Sequence, residues 1–433
     1  MEENIISTPK SKNLLSLFAT TVRIVCVLII LLALVGCGKN GIDGKDGKDG
    51  KDGKDGKDGI TPTISISEDG YWVINGEKTD VKAEGKDAAN SDGSSASYNP
   101  QGLQFYPNDD GDYIVAVGDA KYLSKIVIPE TYNGGKVVGI DNQAFSGCSS
   151  LIEIVIPDSV TSIGYQAFYN CDNLSSVVIP DSVTYIGDYA FYSCDNLNSV
   201  VIGDSVTTIG NYAFWDCSIL SSVVIPDSVT TIGDYAFCGC DNLSSVVIGN
   251  SVITIGSNAF CGCDSLSSVV IPDSVTTLGE NAFYYCSNLT AVYISDVAKW
   301  CTINFVNSIS NPLYYAKNLY VNNVLATELV IPDSVTTIGE YAFDSCGSLS
   351  SVVIGNSVIT IGSNAFYDCS SLTSIVIPDS VTTISNYAFF GCDSLTDVYY
   401  TGTKEQWNLI YIDYWGNGPI SNATIHYNHV PEN

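Results

Sequence analysis

Cys148, Cys171, Cys194, Cys217, Cys240, Cys263 and Cys286 each stand 23 residues beyond the last, and after one gap Cys346, Cys369 and Cys392 resume the interval. A fixed period in the range of about 20 to 50 residues means that each unit is one supersecondary element that buries its apolar face only against its neighbours. Such a chain folds as a solenoid. An array of this kind grows by addition, so the 433 residues are no measure of domain number.

Charge narrows the partners. The chain carries 18 Lys+Arg against 47 Asp+Glu, a net of -29. From residue 101 onward there are 6 lysines, no arginine and 32 carboxylates, a net of −26. The one arginine, Arg23, lies in a segment expected to be removed. Without a guanidinium fork, and with that charge, the array repels polyanions. Nucleic acid and docking on anionic lipid are excluded, whereas a cationic, neutral or metal-bridged partner fits.

Lys10, Lys12 and Arg23 precede a continuous apolar run from Ile24 to Val35 that includes Cys26. The run is about half of what a membrane-spanning helix needs, so it reads as the core of an export signal. It ends in Leu34-Val35-Gly36-Cys37, which resembles a bacterial lipobox. That resemblance implies a lipoprotein signal peptide over residues 1–36 and a diacylglyceryl group on the Cys37 thiol. The mature chain would then be exported and tethered to the outer membrane or cell surface by lipid rather than by a span. A short transmembrane anchor with an incidental cysteine is the alternative reading.

Over residues 37–59, Gly38, Gly41, Gly44, Gly47, Gly50, Gly53, Gly56 and Gly59 recur at every third position. Strict Gly-X-Y spacing is the collagen signature, but this tract is short and has no proline. Two readings stand: a charge-balanced flexible stalk, and a trimerising stalk that would display three arrays together. Residues 60–88 read as a small β-hairpin module, with Asp69-Gly70 and Asn75-Gly76 as turn dipeptides, and residues 89–100 as a linker.

Within one repeat, Leu174, Val177 and Ile179 follow an L-x-x-L-x-L spacing with β-branched residues at strand positions. Pro180 closes the strand and Asp181-Ser182 holds a turn. Val183 and Ile186 point back inward, Gly187 allows a bend, and Ala190, Phe191 and Cys194 refill the core from the opposite wall. The string I-P-D-S-V-T-x-I-G-x-x-A-F-x-x-C recurs nearly unbroken, with Gly203, Gly249 and Gly355 in place of the proline. It resembles the BspA-like, treponemal-type leucine-rich repeat over roughly residues 101 to 428. The resemblance implies an α/β-type solenoid with a parallel sheet on the concave face. It also implies a surface lipoprotein that binds host matrix, other microbes or copies of itself. The expected divisions are an N-terminal cap and first repeat at 101–147, regular repeats at 148–286, an irregular unit at 287–345, regular repeats at 346–397, and a C-terminal cap and tail at 398–433.

Several residues invite a functional reading. If Val177 and Ile179 face the core, then Val178 faces out, and the same register gives Val201, Val224, Val247, Val270, Tyr293, Val353, Val376 and Tyr399. This column is a candidate partner surface, with plain β propensity as the alternative. In the irregular unit Trp300, Tyr314 and Tyr315 join it as candidates. Two aromatic columns on the opposite wall compete: Tyr189, Tyr212, Tyr235, Tyr341 and Tyr387, and beside them Tyr169, Tyr192, Trp215, Tyr284 and Tyr367. Cys238 and Cys261 fall in the second column. With Cys240 and Cys263 they would have to converge for zinc, which alternating directions disfavour; small core residues and a disulfide are the other readings. The Asp158, Asp181, Asp204 and Asp227 series reads as turn formers, with calcium as the alternative. The only histidines, His426 and His429, lie past the last repeat. No catalytic residue, metal ligand or cofactor is assigned. The functional expectation is a non-catalytic adhesion or protein-interaction module, the alternative a self-associating structural or carbohydrate-binding surface component.

Overall fold

The computed structural model describes residues 64–66, 71–74, 77–82 and 100–430. The expected signal peptide, Cys37, the Gly-X-Y tract and nearly all of the 89–100 linker lie outside these residues. Ile64–Ile66, Tyr71–Ile74 and Glu77–Lys82 form a three-stranded antiparallel sheet, in which Ile64 pairs with Ile74 and Ile66 with Trp72.

From residue 101 the chain is the expected solenoid of 23-residue rungs, and each rung has three walls. The first is a short strand such as Ser176–Val178, which pairs parallel and in register with Ser199–Val201. Its burial alternates, because side chains one residue apart face opposite sides of a strand: Val177 and Ile179 are in the core. The second wall is a stack of two-residue strands that sequence reading leaves as loop. Tyr185–Ile186 pairs parallel with Ser162–Ile163 and with Thr208–Ile209, and the stack runs unbroken to Asn304–Phe305. The repeated Thr-Ile dipeptide supplies it, a β-branched pair with the isoleucine buried at each step.

The third wall is made of turns, not of helices, yet it is laddered too. Phe168 N donates to Ala190 O and Phe191 N to Ala213 O, both at 2.7 Å. To reach these partners the chain turns left-handed at the same place in each rung, at Tyr189 (φ 59°), Tyr212 (φ 56°) and Tyr235 (φ 57°). A side chain there costs roughly 1–2 kcal/mol against a right-handed residue, a cost the cross-rung bonds offset. Among the described residues helix is confined to single short segments outside the regular rungs, such as Val297–Cys301 and Lys404–Trp407.

Each wall sends a column into the core. Phe145, Phe168, Phe191, Phe214, Phe237, Phe260 and Phe283 stack with ring centroids 5.0 to 5.5 Å apart and are fully buried. The periodic cysteines stand beside them. Cys194 Sγ donates to Phe168 O at 3.2 Å and Cys217 Sγ to Phe191 O at 3.2 Å, one rung back, and the pattern repeats to Cys392 Sγ and Phe366 O. They fill space as a small hydrophobe does, and they add a weak donor to a carbonyl inside the core. Burial pushes the thiols from Cys148 to Cys286 up, to about 11 at Cys148 and further at Cys194, so they stay protonated.

Rungs lie so close at the bend that glycine holds it in the regular rungs from Gly164 to Gly362, with Ser385 in its place one rung later. A Cβ on Gly210 would stand 2.7 Å from Asp188 N and 2.7 Å from the Gly187 carbonyl carbon.

The irregular unit is a stretched rung rather than an inserted domain. Ala291–Ile294 pairs with Ser268–Val270 on one side and Leu319–Val321 on the other. The step from Val292 to its partner Leu319 is 27 residues instead of 23. The extra length makes the helix Val297–Cys301, capped by Asp296, whose carboxylate accepts from Ala298 N at 2.7 Å and Lys299 N at 3.1 Å. The chain then turns through Ser308–Ser310 and Leu313–Ala316 before Glu328–Ile331 opens the last sheet.

At the N-terminal end Gln104–Pro107 and Tyr113–Ala116 form a hairpin that closes the second wall against Gly135–Ile140. At the other end Ile420 is buried, and Trp407, Ile425 and Tyr427 pack half-buried on the core. Trp415, in the same C-terminal segment, is 64% exposed. Thr424–His426 pairs with Asp397–Tyr400, so His426 is part of a final rung rather than of a tail past it.

Candidate interaction surfaces

The strand wall carries the outward column in the expected register. Val178 is 45% exposed, and Val201, Val224, Val247, Val270, Val353 and Val376 are half-buried between their neighbours. Tyr293 stacks on Tyr320 at 4.7 Å and Tyr399 on His426 at 4.7 Å, so each tyrosine shares a ring face with the next rung. The column is longer than sequence reading made it. Val155 (41% exposed) and Val330 (64% exposed) occupy the same position one rung before Val178 and Val353, and stepping the 23-residue interval backward finds both. Ala291, two residues before Tyr293 in the same strand, is buried.

Trp300 is not a surface residue. It is 1% exposed, lies edge-on to Phe305 at 5.2 Å, and donates Nε1–H to Ala342 O at 2.6 Å. Its indole is part of the core and satisfies a carbonyl of the next regular rung. Tyr314 and Tyr315 are accessible in part, but on the turn wall: Tyr315 Oη accepts Tyr285 N at 3.0 Å, and the Tyr314 ring lies under Lys317 Nζ at 5.6 Å. The twelve candidates therefore divide among the strand wall, the turn wall and the core.

On the turn wall each aromatic column is stacked over three successive rungs. Tyr189, Tyr212 and Tyr235 follow at 4.6 Å with planes within 5°, and Tyr169, Tyr192 and Trp215 at 4.8 and 4.4 Å. Ring faces are covered by neighbouring rings and only edges and hydroxyls meet solvent. A sugar stacks on a ring face, so the interior of these columns offers it no platform.

The carboxylate columns are turned into the fold. Asp181 Oδ1 accepts Asp204 N at 2.8 Å and Asp227 Oδ1 accepts Asn250 N at 2.8 Å. A second series does the same at the bend, where Asp188 Oδ1 accepts Asn211 N at 2.7 Å and Asp234 Oδ1 accepts Ser257 N at 2.6 Å. Among the described residues no three His, Cys, Asp or Glu side chains converge as metal ligands. A third set stays free enough to shape the field: partial burial, then Asp172 and Asp216, push the Asp195 carboxyl up, and burial with Asp264 does so at Asp241.

One carboxylate is buried outright. Asp344 stands in the register that Tyr367 holds one rung on, but the Ser308–Ala316 segment covers it, with Ser345 Oγ donating to its Oδ1 at 2.8 Å. Burial pushes this carboxyl up to about 6 against the pull of Ser308 and Ser345. Between pH 4 and 6 the folded chain therefore keeps a proton that the unfolded chain has released, and stability falls as pH rises through that window. The expected loss is about 3 kcal/mol. Asp344→Asn, which keeps an acceptor for Ser345, should lack that slope, as a comparison of unfolding free energies at pH 4 and pH 7 would show.

A shallow depression with room for about one water lies between Ile271, Pro272, Asp273, Trp300 and Ile303. Ligand pockets usually hold about 300–1,000 Å³. At the C-terminal rung His426 Nε2 lies 2.7 Å from Asp397 Oδ1 and holds that carboxyl below the usual range. The nearby hydroxyl, Thr396 Oγ1, bonds to Asp397 and not to the imidazole, which is the wrong order for a nucleophile and its base.

A protein-family model for the BspA type leucine rich repeat region matches in six copies, over residues 119–223, 207–320 and 314–426. The chain belongs to the BspA-type leucine-rich repeat family. This BspA-type array is similar in structure to a leucine rich cell surface protein from Faecalibacterium prausnitzii, at 29% identity over 75% of this chain and 99% of that one, with a TM-score of 0.43. It is likewise similar to a leucine-rich repeat protein from Bacteroides ovatus (25% identity, 76% and 99% covered, TM-score 0.44) and to the leucine rich repeat protein of T. pallidum (22%, 64% and 90%, 0.27). No curated protein matches the BspA-type chain.

Proposed function

We propose that the mature chain is a non-catalytic protein-interaction module at a bacterial cell surface, anchored by lipid on Cys37 and carried outward by the 37–59 stalk. Its partner is a protein of host matrix or of another cell surface, bound along the strand wall. One observation carries this reading: a column of outward valines, one per rung, standing on a rigid parallel ladder. An apolar strip repeated at a fixed spacing suits an extended surface better than a small ligand. The net charge of −26 from residue 101 onward favours a partner surface that is cationic or neutral.

The test is binding of the lipid-bearing chain to immobilised matrix proteins and to whole bacteria, compared with Val201→Glu/Val224→Glu/Val247→Glu. Binding is expected to fall by at least about tenfold in the triple variant, with its thermal midpoint little changed because these side chains are not in the core. Equal binding by both proteins would move the site to another wall. Concentration-dependent sedimentation without any external partner would return the self-associating alternative.

A further inference from the structure

The turn-wall column that runs Tyr169, Tyr192, Trp215 continues as Cys238 and Cys261 before Tyr284 resumes it. These two cysteines differ from the periodic ones in three ways. They are half-buried instead of enclosed. They sit on adjacent rungs held together at that point, since Gly239 N donates to Cys261 O at 2.7 Å and Phe237 N to Ala259 O at 2.8 Å. And their thiols act on each other, the neighbouring Cys238 pulling the Cys261 thiol down, whereas each periodic thiol from Cys171 to Cys286 donates to a phenylalanine carbonyl. Neighbouring rungs about 4.8 Å apart lie within the Cα separation that a disulfide spans, about 4.4–6.8 Å.

We propose that Cys238 and Cys261 are an oxidation site, closing a disulfide that staples two adjacent rungs, and that the enclosed cysteines take no part. The oxidant is a small-molecule disulfide of the glutathione class. Cys261, whose thiol the Cys238 hydrogen bond pulls down, loses its proton to solvent and attacks that disulfide, forming a mixed disulfide and releasing one thiol. Cys238 then attacks Cys261 Sγ, loses its own proton, and the second small thiol leaves. Two protein thiols are oxidised by two electrons and one small disulfide is reduced to two thiols. The enclosed thiols from Cys171 to Cys286 are kept out because burial holds them protonated, each donates to a phenylalanine carbonyl, and none meets solvent.

The experiment incubates the purified full-length chain with oxidised glutathione, quenches with an alkylating agent, and maps cysteine-containing peptides by mass spectrometry. The expected product is one intramolecular disulfide per chain joining the peptides of Cys238 and Cys261, reversed by reductant. Cys238→Ser should instead leave a glutathione adduct on Cys261, and Cys261→Ser one on Cys238. A stable mixed adduct on both cysteines of the wild-type chain, alkylation of both with no cross-link, or a disulfide between periodic cysteines would each overturn the proposal.

Discussion

Phe214→Ala is expected to lower stability by about 4 kcal/mol, the loss that deleting a large ring from an unyielding core brings. The ring is fully buried and stacked on both faces, against Phe191 at 5.1 Å and Phe237 at 5.2 Å, with planes within 5°. The substitution removes two aromatic contacts at once, each worth about 0.5–1.5 kcal/mol beyond the area buried. The backbone cannot close the gap, because both flanking rungs are fixed by bonds such as Phe191 N to Ala213 O and Phe214 N to Ala236 O. In an array whose units touch only their neighbours, the damage should be local. Amide exchange would quicken in the rungs around residue 214 and stay slow beyond residue 330. A loss below about 1 kcal/mol, or a uniform rise in exchange along the whole array, would contradict this account.

Gly210→Ala should cost about 3 kcal/mol by the opposite route, too much volume instead of too little. The added methyl would meet backbone atoms of the preceding rung at 2.7 Å, and backbone cannot rotate away as a side-chain tip can. Relief requires prising the two rungs apart at the bend, which breaks Gly210 N to Ile186 O (2.9 Å) and Asn211 N to Asp188 Oδ1 (2.7 Å). Equilibrium unfolding in urea measures it, and a control is at hand in Gly418→Ala, where nothing stands within 4 Å of the new methyl.

The solenoid was legible because every core position repeats. One rung read correctly, from Leu174 to Cys194, is read for all, and each of its inward assignments is buried. The second wall was not legible, since a Thr-Ile pair is too short to show a strand's alternation and forms one only through its neighbours above and below. The left-handed tyrosines were equally hidden: no local preference puts a bulky residue there, and the ladder overrides propensity. Val178 and its series could be placed by register, whereas Trp300 could not. Its position follows from a stretched rung that breaks the interval, and an aromatic residue outside the beat reads equally as surface or as replacement core.

That stretched rung also sets how the array carries load. The second-wall stack stops at Asn304–Phe305 and starts afresh at Thr337–Ile338. Across the interval the two lengths are joined by scattered bonds, among them Gly339 N to Cys301 O, Ser348 N to Lys317 O, Trp300 Nε1 to Ala342 O and Asn311 Nδ2 to Tyr341 O. A chain tethered at its N-terminal end and gripped near its far end is strained in series, and a series yields at its least redundant link. The joint around Trp300 is that link, so under tension the C-terminal rungs should part from the rest as a block while the longer stack stays whole.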